Sequence, residues 1–286
     1  RAVILGLPFD CGTHPTRVGA RLGPASIREQ SLLLRPYDGD SGVNPLHALG
    51  VVDLGDAHVF PGETERSFEG IERAVAQATQ AGAIPISFGG DGAIALPQMR
   101  VLARRHPGLC VVHIDAHTDA YPIEGHNNAT PFARAFEEGL VETRRSFHIG
   151  LRRSHMTPGV YDYGRQLGYN LVSMAALIER GVAATFAQVR ETVGKRPVYL
   201  CFDMDFFDPS VAPGVCTPAW GGATAREGLE VIAAMSGLEV AAIDINTISP
   251  PHDVGGMSAF LAATVAFEFL TMMATGRLSA GLLAGG

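Results

Sequence analysis

The segment His113-Ile114-Asp115-Ala116-His117-Thr118-Asp119 places Asp115, His117 and Asp119 at alternate positions. In extended chain such side chains fall on one side and can converge on a common point. Further along, Asp203-Met204-Asp205 offers two more carboxylates behind another apolar run. Four carboxylates and one imidazole gathered in one pocket repel severely unless cations neutralise them. Carboxylate with imidazole suits Mn²⁺, Fe²⁺, Ni²⁺, Co²⁺ or Zn²⁺ better than Ca²⁺ or Mg²⁺. A lone Asp-x-Asp is often a turn or a cap, and a lone strand-end histidine is more often hydrogen-bonded than ligating. Two such motifs at strand ends of one sheet point to metal instead.

The elements that must position these residues are short apolar runs alternating with segments of helical period. The runs are Ala2–Leu7, Val51–Leu54, Ile84–Phe88, Leu109–Ile114, Phe147–Leu151, Asn170–Ser173, Val198–Phe202 and Val240–Ile245. Helical segments between them include Thr64–Ala81, Leu96–Arg105, Pro131–Glu138, Thr185–Val193, Ala225–Ser236 and Ser258–Ala274. Runs apolar at nearly every position are strands covered on both faces. The alternation predicts an α/β fold, a three-layer α/β/α sandwich with a mostly parallel central sheet. The 286 residues show no repeat, linker or low-complexity tract, so one domain over 1–286 is expected. In such sheets ligands sit beyond the carboxyl ends of the strands. That is where Asp91, Asp115 to Asp119, Asp203 to Asp208 and Asp244 to Asp253 fall.

Composition narrows the partners. A net charge of −7 and a pI of about 5.8 argue against a nucleic-acid backbone or an anionic membrane surface. Hydrophobic residues make up 47%, enough for a sizeable core, yet no apolar run is read as membrane-spanning. Cys11, Cys110, Cys201 and Cys216 are scattered without metal-finger spacing. They imply no disulfide framework, and a reducing cytoplasm is the expected setting. The chain begins at Arg1, so a preceding segment is left open.

At this point the motifs resemble those of the ureohydrolases: arginase, agmatinase, guanidinobutyrase and formiminoglutamase. Gly6-Leu7-Pro8-Phe9-Asp10, then Gly19 to Pro24 with Ile27-Arg28, look like the family's opening signature. Phe88-Gly89-Gly90-Asp91 looks like its second motif and Asp115 to Asp119 its third. Asp203 to Pro209 with Ala212-Pro213-Gly214 matches the highly specific fourth, and Asp244 to Asp253 resembles the closing segment. The resemblance covers nearly the whole chain. It implies a three-layer fold, trimers or hexamers, and a dinuclear centre of manganese or, in some members, nickel. Two cations there would lower the pKa of a shared water that attacks a guanidinium carbon, releasing urea and an amine. By motif, Asp115 and Asp203 would bridge the metals, His117 and Asp205 would complete one site, and Asp119 would serve the other.

Three positions depart from the family pattern. Gly92 stands where the second motif continues with a ligating His, so the site on the Asp119 side is expected to be weakened or empty. Asn128 aligns with the histidine proton shuttle, and its amide cannot titrate near neutrality. His126, two positions earlier, is the candidate substitute if the loop is shifted. Thr247 aligns with the glutamate that grips the substrate's guanidinium. Among other residues, His155 reads as surface and His252 as a loop residue that could edge the pocket. Cys216 and Trp220 have bulk that could fill it, and Cys216 has no evident partner for nucleophilic work.

Because all three changes fall on the chemistry while the scaffold motifs remain, the leading expectation is a catalytically degenerate chain. It would assemble with an active homologous subunit that hydrolyses a guanidine- or biguanide-type compound. The alternatives are an active hydrolase of an unusual small cationic guanidino compound, with His126 as shuttle, and a metabolite-binding regulator without turnover.

Overall fold

The computed structural model describes residues 1–11, 14 and 16–281. The strands are β1 (Ala2–Leu7), β2 (Val52–Asp56), β3 (Ile84–Gly89), β4 (Cys110–Ile114) and β5 (Phe147–Leu151). They continue with β6 (Asn170–Ser173), β7 (Pro197–Asp203), β8 (Glu239–Asn246) and the two-residue β9 (Ser279–Ala280). The helices are α1 (Gly23–Ser31), α2 (Pro45–Leu49), α3 (Thr64–Gln80), α4 (Ala95–Arg105) and α5 (Pro131–Glu137). After them come α6 (Val160–Gln166), α7 (Met174–Arg180), α8 (Val182–Val193), α9 (Ala225–Ala234) and α10 (Met257–Ala274).

The sheet order is β2-β1-β3-β8-β7-β4-β5-β6, with β9 against the start of β8. Every ladder between these strands is parallel. One core pairs Ile86, Val112, Leu200 and Ile243 of the sheet with Ile27, Phe186, Val231 and Phe269 from α1, α8, α9 and α10. The opposite core pairs Leu5, Leu7, Val111 and Tyr199 with Phe68, Met99 and Phe132 from α3, α4 and α5. Helices therefore cover both faces, which is why these strands read as continuous apolar runs.

The order explains the site's location. After β3 the chain skips two slots to lay down β4, and β7 and β8 return later to fill the gap. Ligands gather in the crevice at such a reversal. Registers Ile114 to Phe202 and Asp203 to Asn246 bring the carboxyl ends of β4, β7 and β8 level.

Several elements differ from the sequence reading. α1 opens with Gly23-Pro24, which reads as a turn, yet Pro at the start of a helix fits the fixed φ of the first turn. α2, α6 and α7 span only five to seven residues, too short for a 3.6-residue period to emerge. β8 runs on through Asn246, so Asp244 lies inside a strand, fully buried, and accepts a 2.8 Å hydrogen bond from Tyr199. Burial pushes its carboxyl up to about 6, opposed by the hydrogen bonds from Tyr199 and Asn246.

α10 is a further correction. Its 18 residues are apolar enough, by length and composition, to cross a membrane, which the sequence reading did not anticipate. More than half of the helix is buried in this fold, with Ala259, Ala262, Val265, Ala266 and Phe269 packed into the core. An alanine-rich face lets it lie close against α1, α2 and α9.

Gly90 ties three strand ends together. Its amide donates to Leu7 O at 2.8 Å and its carbonyl accepts from Thr247 N at 2.7 Å. A Cβ here would lie 1.9 Å from Phe9 O and 2.8 Å from Leu7 O, both backbone atoms that cannot step aside. Gly90→Ala is therefore expected to cost about 1–3 kcal/mol by overpacking. Gly39→Ala, with nothing within 4 Å, should stay within about 0.5 kcal/mol. Urea denaturation of both variants decides this, and equal midpoints would refute the strand-end argument.

Candidate metal centre

The third motif leaves β4 and the fourth leaves the adjacent β7, and their side chains meet. His117 Nδ1 lies 3.2 Å from Asp115 Oδ1 and 3.0 Å from Asp205 Oδ2. One ligand atom from each of Asp115, His117 and Asp205 falls within 4.8 Å of the others. Backbone amides hold the carboxylates in place. Asp115 Oδ1 accepts from His117 N at 2.5 Å, Asp205 Oδ1 from Ala116 N at 3.2 Å, and Asp203 Oδ1 from Asp205 N at 2.7 Å.

The charge balance is what marks the cluster. Asp115, Asp119, Asp203 and Asp205 are all buried. Burial, with Asp115 next, raises the carboxyl of Asp119 well above its ordinary value. Burial does the same to Asp203, reinforced by Asp205 and Asp115. Asp205 is raised as well, by burial and then Asp115. Burial alone would lower His117, but Asp205 and Asp115 hold it well above the usual histidine range. Without a cation the pocket must take up protons to exist. Asp115 Oδ2, fully buried, has no hydrogen-bond partner. An oxygen-and-imidazole donor set with an orphaned buried oxygen fits a divalent transition metal. Asp115, His117 and Asp205 would hold it.

His117 and Asp205 line a cavity of about 850 Å³ whose walls also include Gly92, Asp119, Asn128, Asp203 and Thr247. Tyr121, Ile123, His155, Met156 and Trp220 line its upper part.

Comparison with known proteins gives the family. The family model for "Arginase family" matches residues 1–272. The chain belongs to the arginase family. It is 39% identical over 275 residues to the guanidinopropionase of Pseudomonas aeruginosa, covering 95% of this chain and 86% of that protein. The mitochondrial guanidino acid hydrolase of Homo sapiens is 37% identical over 272 residues, covering 94% and 77%. Among solved structures, the proclavaminate amidino hydrolase of Streptomyces clavuligerus superposes with a TM-score of 0.91 at 34% identity. That match covers 96% of this chain and 91% of the other.

Gly92, Asn128 and Thr247 all line this cavity. A Cβ on Gly92 would sit 2.8 Å from Asp119 Oδ2 and 3.2 Å from Asn128 O, so the carboxylate of Asp119 fills the space an imidazole stem would need. His126 does not line the cavity: its Nδ1 pairs with Glu65 on α3 at 2.5 Å, and its ring rests on Phe68. Thr247 donates its hydroxyl to Asp203 Oδ1 at 2.5 Å. Its φ of 68° is uncommon for a β-branched residue and is held by the bonds to Gly90 and Cys216.

Other expectations change with the geometry. His155, read as surface, is half-buried in the cavity wall, 3.5 Å from the Tyr121 hydroxyl and edge-on to Tyr161. Burial lowers its pKa, and His117 lowers it further. His252 is tied to Ser249 and to Thr16 O instead of edging the cavity. Cys216 is buried beneath Thr247, donating to its carbonyl at 3.4 Å, and burial with nearby carboxylates pushes its thiol well up. It neither fills the pocket nor acts as a nucleophile, while Trp220 stands exposed at the rim.

Sequence reasoning passed over Arg152. Its buried guanidinium donates to the carbonyls of Asp205 (2.6 Å), Ala219 (2.9 Å), Gly150 (3.2 Å) and Phe207 (3.3 Å). It binds the ligand loop after β7 to the loop carrying Trp220. An arginine pair after a strand gives no pattern by which to find this.

The hydroxyl of Thr247 is separable from its shape. Thr247→Val should lose about 1–3 kcal/mol through the donor removed from buried Asp203, whereas Thr247→Ser should stay within about 0.5 kcal/mol. Denaturation midpoints that are the same for the two variants would show that Asp203 does not depend on this bond.

Proposed function

We propose that this chain is a metal-binding, catalytically degenerate arginase-family subunit. It assembles with an active homologous chain, in a trimer or hexamer, and the partner hydrolyses a guanidine- or biguanide-type compound to urea and an amine. One observation carries the reading: the groups at positions 92 and 247, and the nearest substitute for a shuttle, are all committed elsewhere. Asp119 occupies the space beside Gly92, His126 is engaged by Glu65, and the Thr247 hydroxyl is committed to Asp203. A guanidinium entering the cavity would meet the carboxylates of Asp119, Asp203 and Asp205, but no residue at 247 to grip it and no titratable group at 128.

Mn²⁺ or Ni²⁺ suits the donors, and a bound ion would supply Lewis acidity and a lowered water pKa. The chain's residues then set the limits. Asp115, His117 and Asp205 orient the site, whereas Asn128 cannot move a proton at neutral pH. The guanidino class of compound is supported by the names of the relatives, which are hydrolases of guanidino acids. Cys110, Cys201 and Cys216 carry free thiols, which suits a reducing cytoplasm.

His155 favours one alternative, an active hydrolase of an unusual guanidino substrate. It is an imidazole in the cavity wall whose pKa burial, and then His117, lower, and the cavity holds it beside the Tyr121 hydroxyl.

The test is urea release and co-purification. The isolated chain is expected to show no turnover of agmatine, arginine or guanidinobutyrate, and to co-purify with a homologous chain that keeps the ligating His after Gly-Gly-Asp. Gly92→His alone should leave activity absent. Activity should appear, weakly, only when Asn128→His and Thr247→Glu are added, because positioning and proton transfer are both required. Turnover by the unmodified chain at about 1–10³ s⁻¹ would overturn the degenerate reading. Loss of that turnover in His155→Asn would install the alternative.

A further inference from the structure

The imidazole missing at position 92 has a counterpart elsewhere in the site. His113 lies on β4, fully buried, two residues before Asp115 and on the same face of the strand. Its Nε2 is 2.8 Å from Asp115 Oδ2. The two atoms are close but not aligned as donor and acceptor, and Asp115 Oδ2 is left without a hydrogen bond. A ring nitrogen and a carboxylate oxygen paired this closely are two donor atoms placed to suit a common third body. One ligand atom from each of His113, Asp115 and Asp119 falls within 4.8 Å of the others, all three residues being buried.

Asp115 therefore faces two clusters. Its Oδ1 looks towards His117 and its Oδ2 towards His113. That is the disposition of a carboxylate shared by two cations. Asp119 enters the second cluster from a backbone with φ of 46°, a left-handed conformation that turns the chain back towards β4.

The far side of His113 supports ligation. Its Nδ1 is 2.8 Å from His148 Nδ1, so one proton is shared between the rings. A metal-binding histidine commonly donates its other ring N–H to a fixed acceptor. With that proton on His113, its Nε2 keeps a lone pair for a cation, and His148 carries its proton on Nε2. That nitrogen has no hydrogen-bond partner. However, His148 meets Tyr169 and Phe132 in T-shaped contacts at 4.5 and 4.9 Å, a geometry in which a ring N–H can be offered a π face.

We propose that His113, Asp115 and Asp119 form a second divalent-metal site in this chain, with His113 supplying the imidazole that Gly92 does not. The proposal rests on the reading of Asp115, His117 and Asp205 as the first site, and the experiment separates the two. A second ion here would not restore activity, since Asn128 and Thr247 are untouched by it.

The full chain is loaded with Mn²⁺, dialysed, and measured by elemental analysis and electron paramagnetic resonance. Two ions per chain with an exchange-coupled spectrum are expected, as for ions about 3.5–4 Å apart. His113→Gln should lose one ion and leave an uncoupled six-line signal, and His117→Gln should lose the other. His148→Leu, which keeps the ligand but removes its partner, should weaken the second ion about 10–100-fold and spare the first. One uncoupled ion in the unmodified chain overturns the proposal while the first site stands. So do two ions that survive His113→Gln, or a second ion unaffected by His148→Leu. No ion at all means that the first-site reading has failed and takes this one with it. Should His113→Gln not fold, the unmodified chain's spectrum and His148→Leu still decide.

Discussion

Like charges buried together are the constraint on which this molecule turns. Parallel β4 and β7 lie side by side, and each releases acidic residues at its carboxyl end. Asp115, Asp119, Asp203 and Asp205 are therefore buried together, beside the imidazoles of His117 and His113. Desolvation and repulsion from neighbouring carboxylates oppose ionisation of Asp119, Asp203 and Asp205, whereas burial of Asp115 is outweighed by His113 and His117, which hold its carboxyl well below the usual range. The fold is consistent with this only if the pocket carries positive charge, whether as protons or as metal. Much of the surrounding structure serves to keep the carboxylates in place against that repulsion.

The restraints come from backbone more than from side-chain ion pairs. Amides of Ala116, His117 and Asp205 donate to the three central carboxylates. Arg152 collects the carbonyls of Asp205, Phe207, Ala219 and, in β5, Gly150, and Asp208 accepts from the amides of Ser210, Gly221 and Gly222 to shape the loop that carries Trp220. Asp253 receives Ser258 N and Ala259 N at the start of α10. Gly92, Asn128 and Thr247, by contrast, all line the cavity.

Most of the sheet was legible because strands covered on both faces must be apolar throughout, and β1, β5 and β6 carry the bounds read from the sequence. The metal cluster was legible for a related reason: Asp115, His117 and Asp119 alternate, and Asp203 and Asp205 alternate, at the ends of such runs. Helices α1, α2, α6 and α7 were not, since a proline start or a single turn or two leaves no period to detect. The membrane-length apolarity of α10 went unread for the opposite reason, because burial of a helix between several neighbours removes its polar face.

The amino-acid sequence by itself determined the fold class and the two acidic motifs, since each follows from residue type and local spacing. Which side chains meet was decided only by tertiary structure. His126 lies two residues from Asn128, yet Glu65 on α3 draws it out of the cavity. His155 reads as a surface residue, yet the loop after β5 folds it into the wall beside Tyr121. His113 is ordinary within its strand until β5 sets His148 against it in register. These outcomes depend on contacts between segments 34 to 61 residues apart in the chain. Local spacing carries no information about such contacts, because packing of the whole sheet, not the neighbouring residues, determines where each ring points.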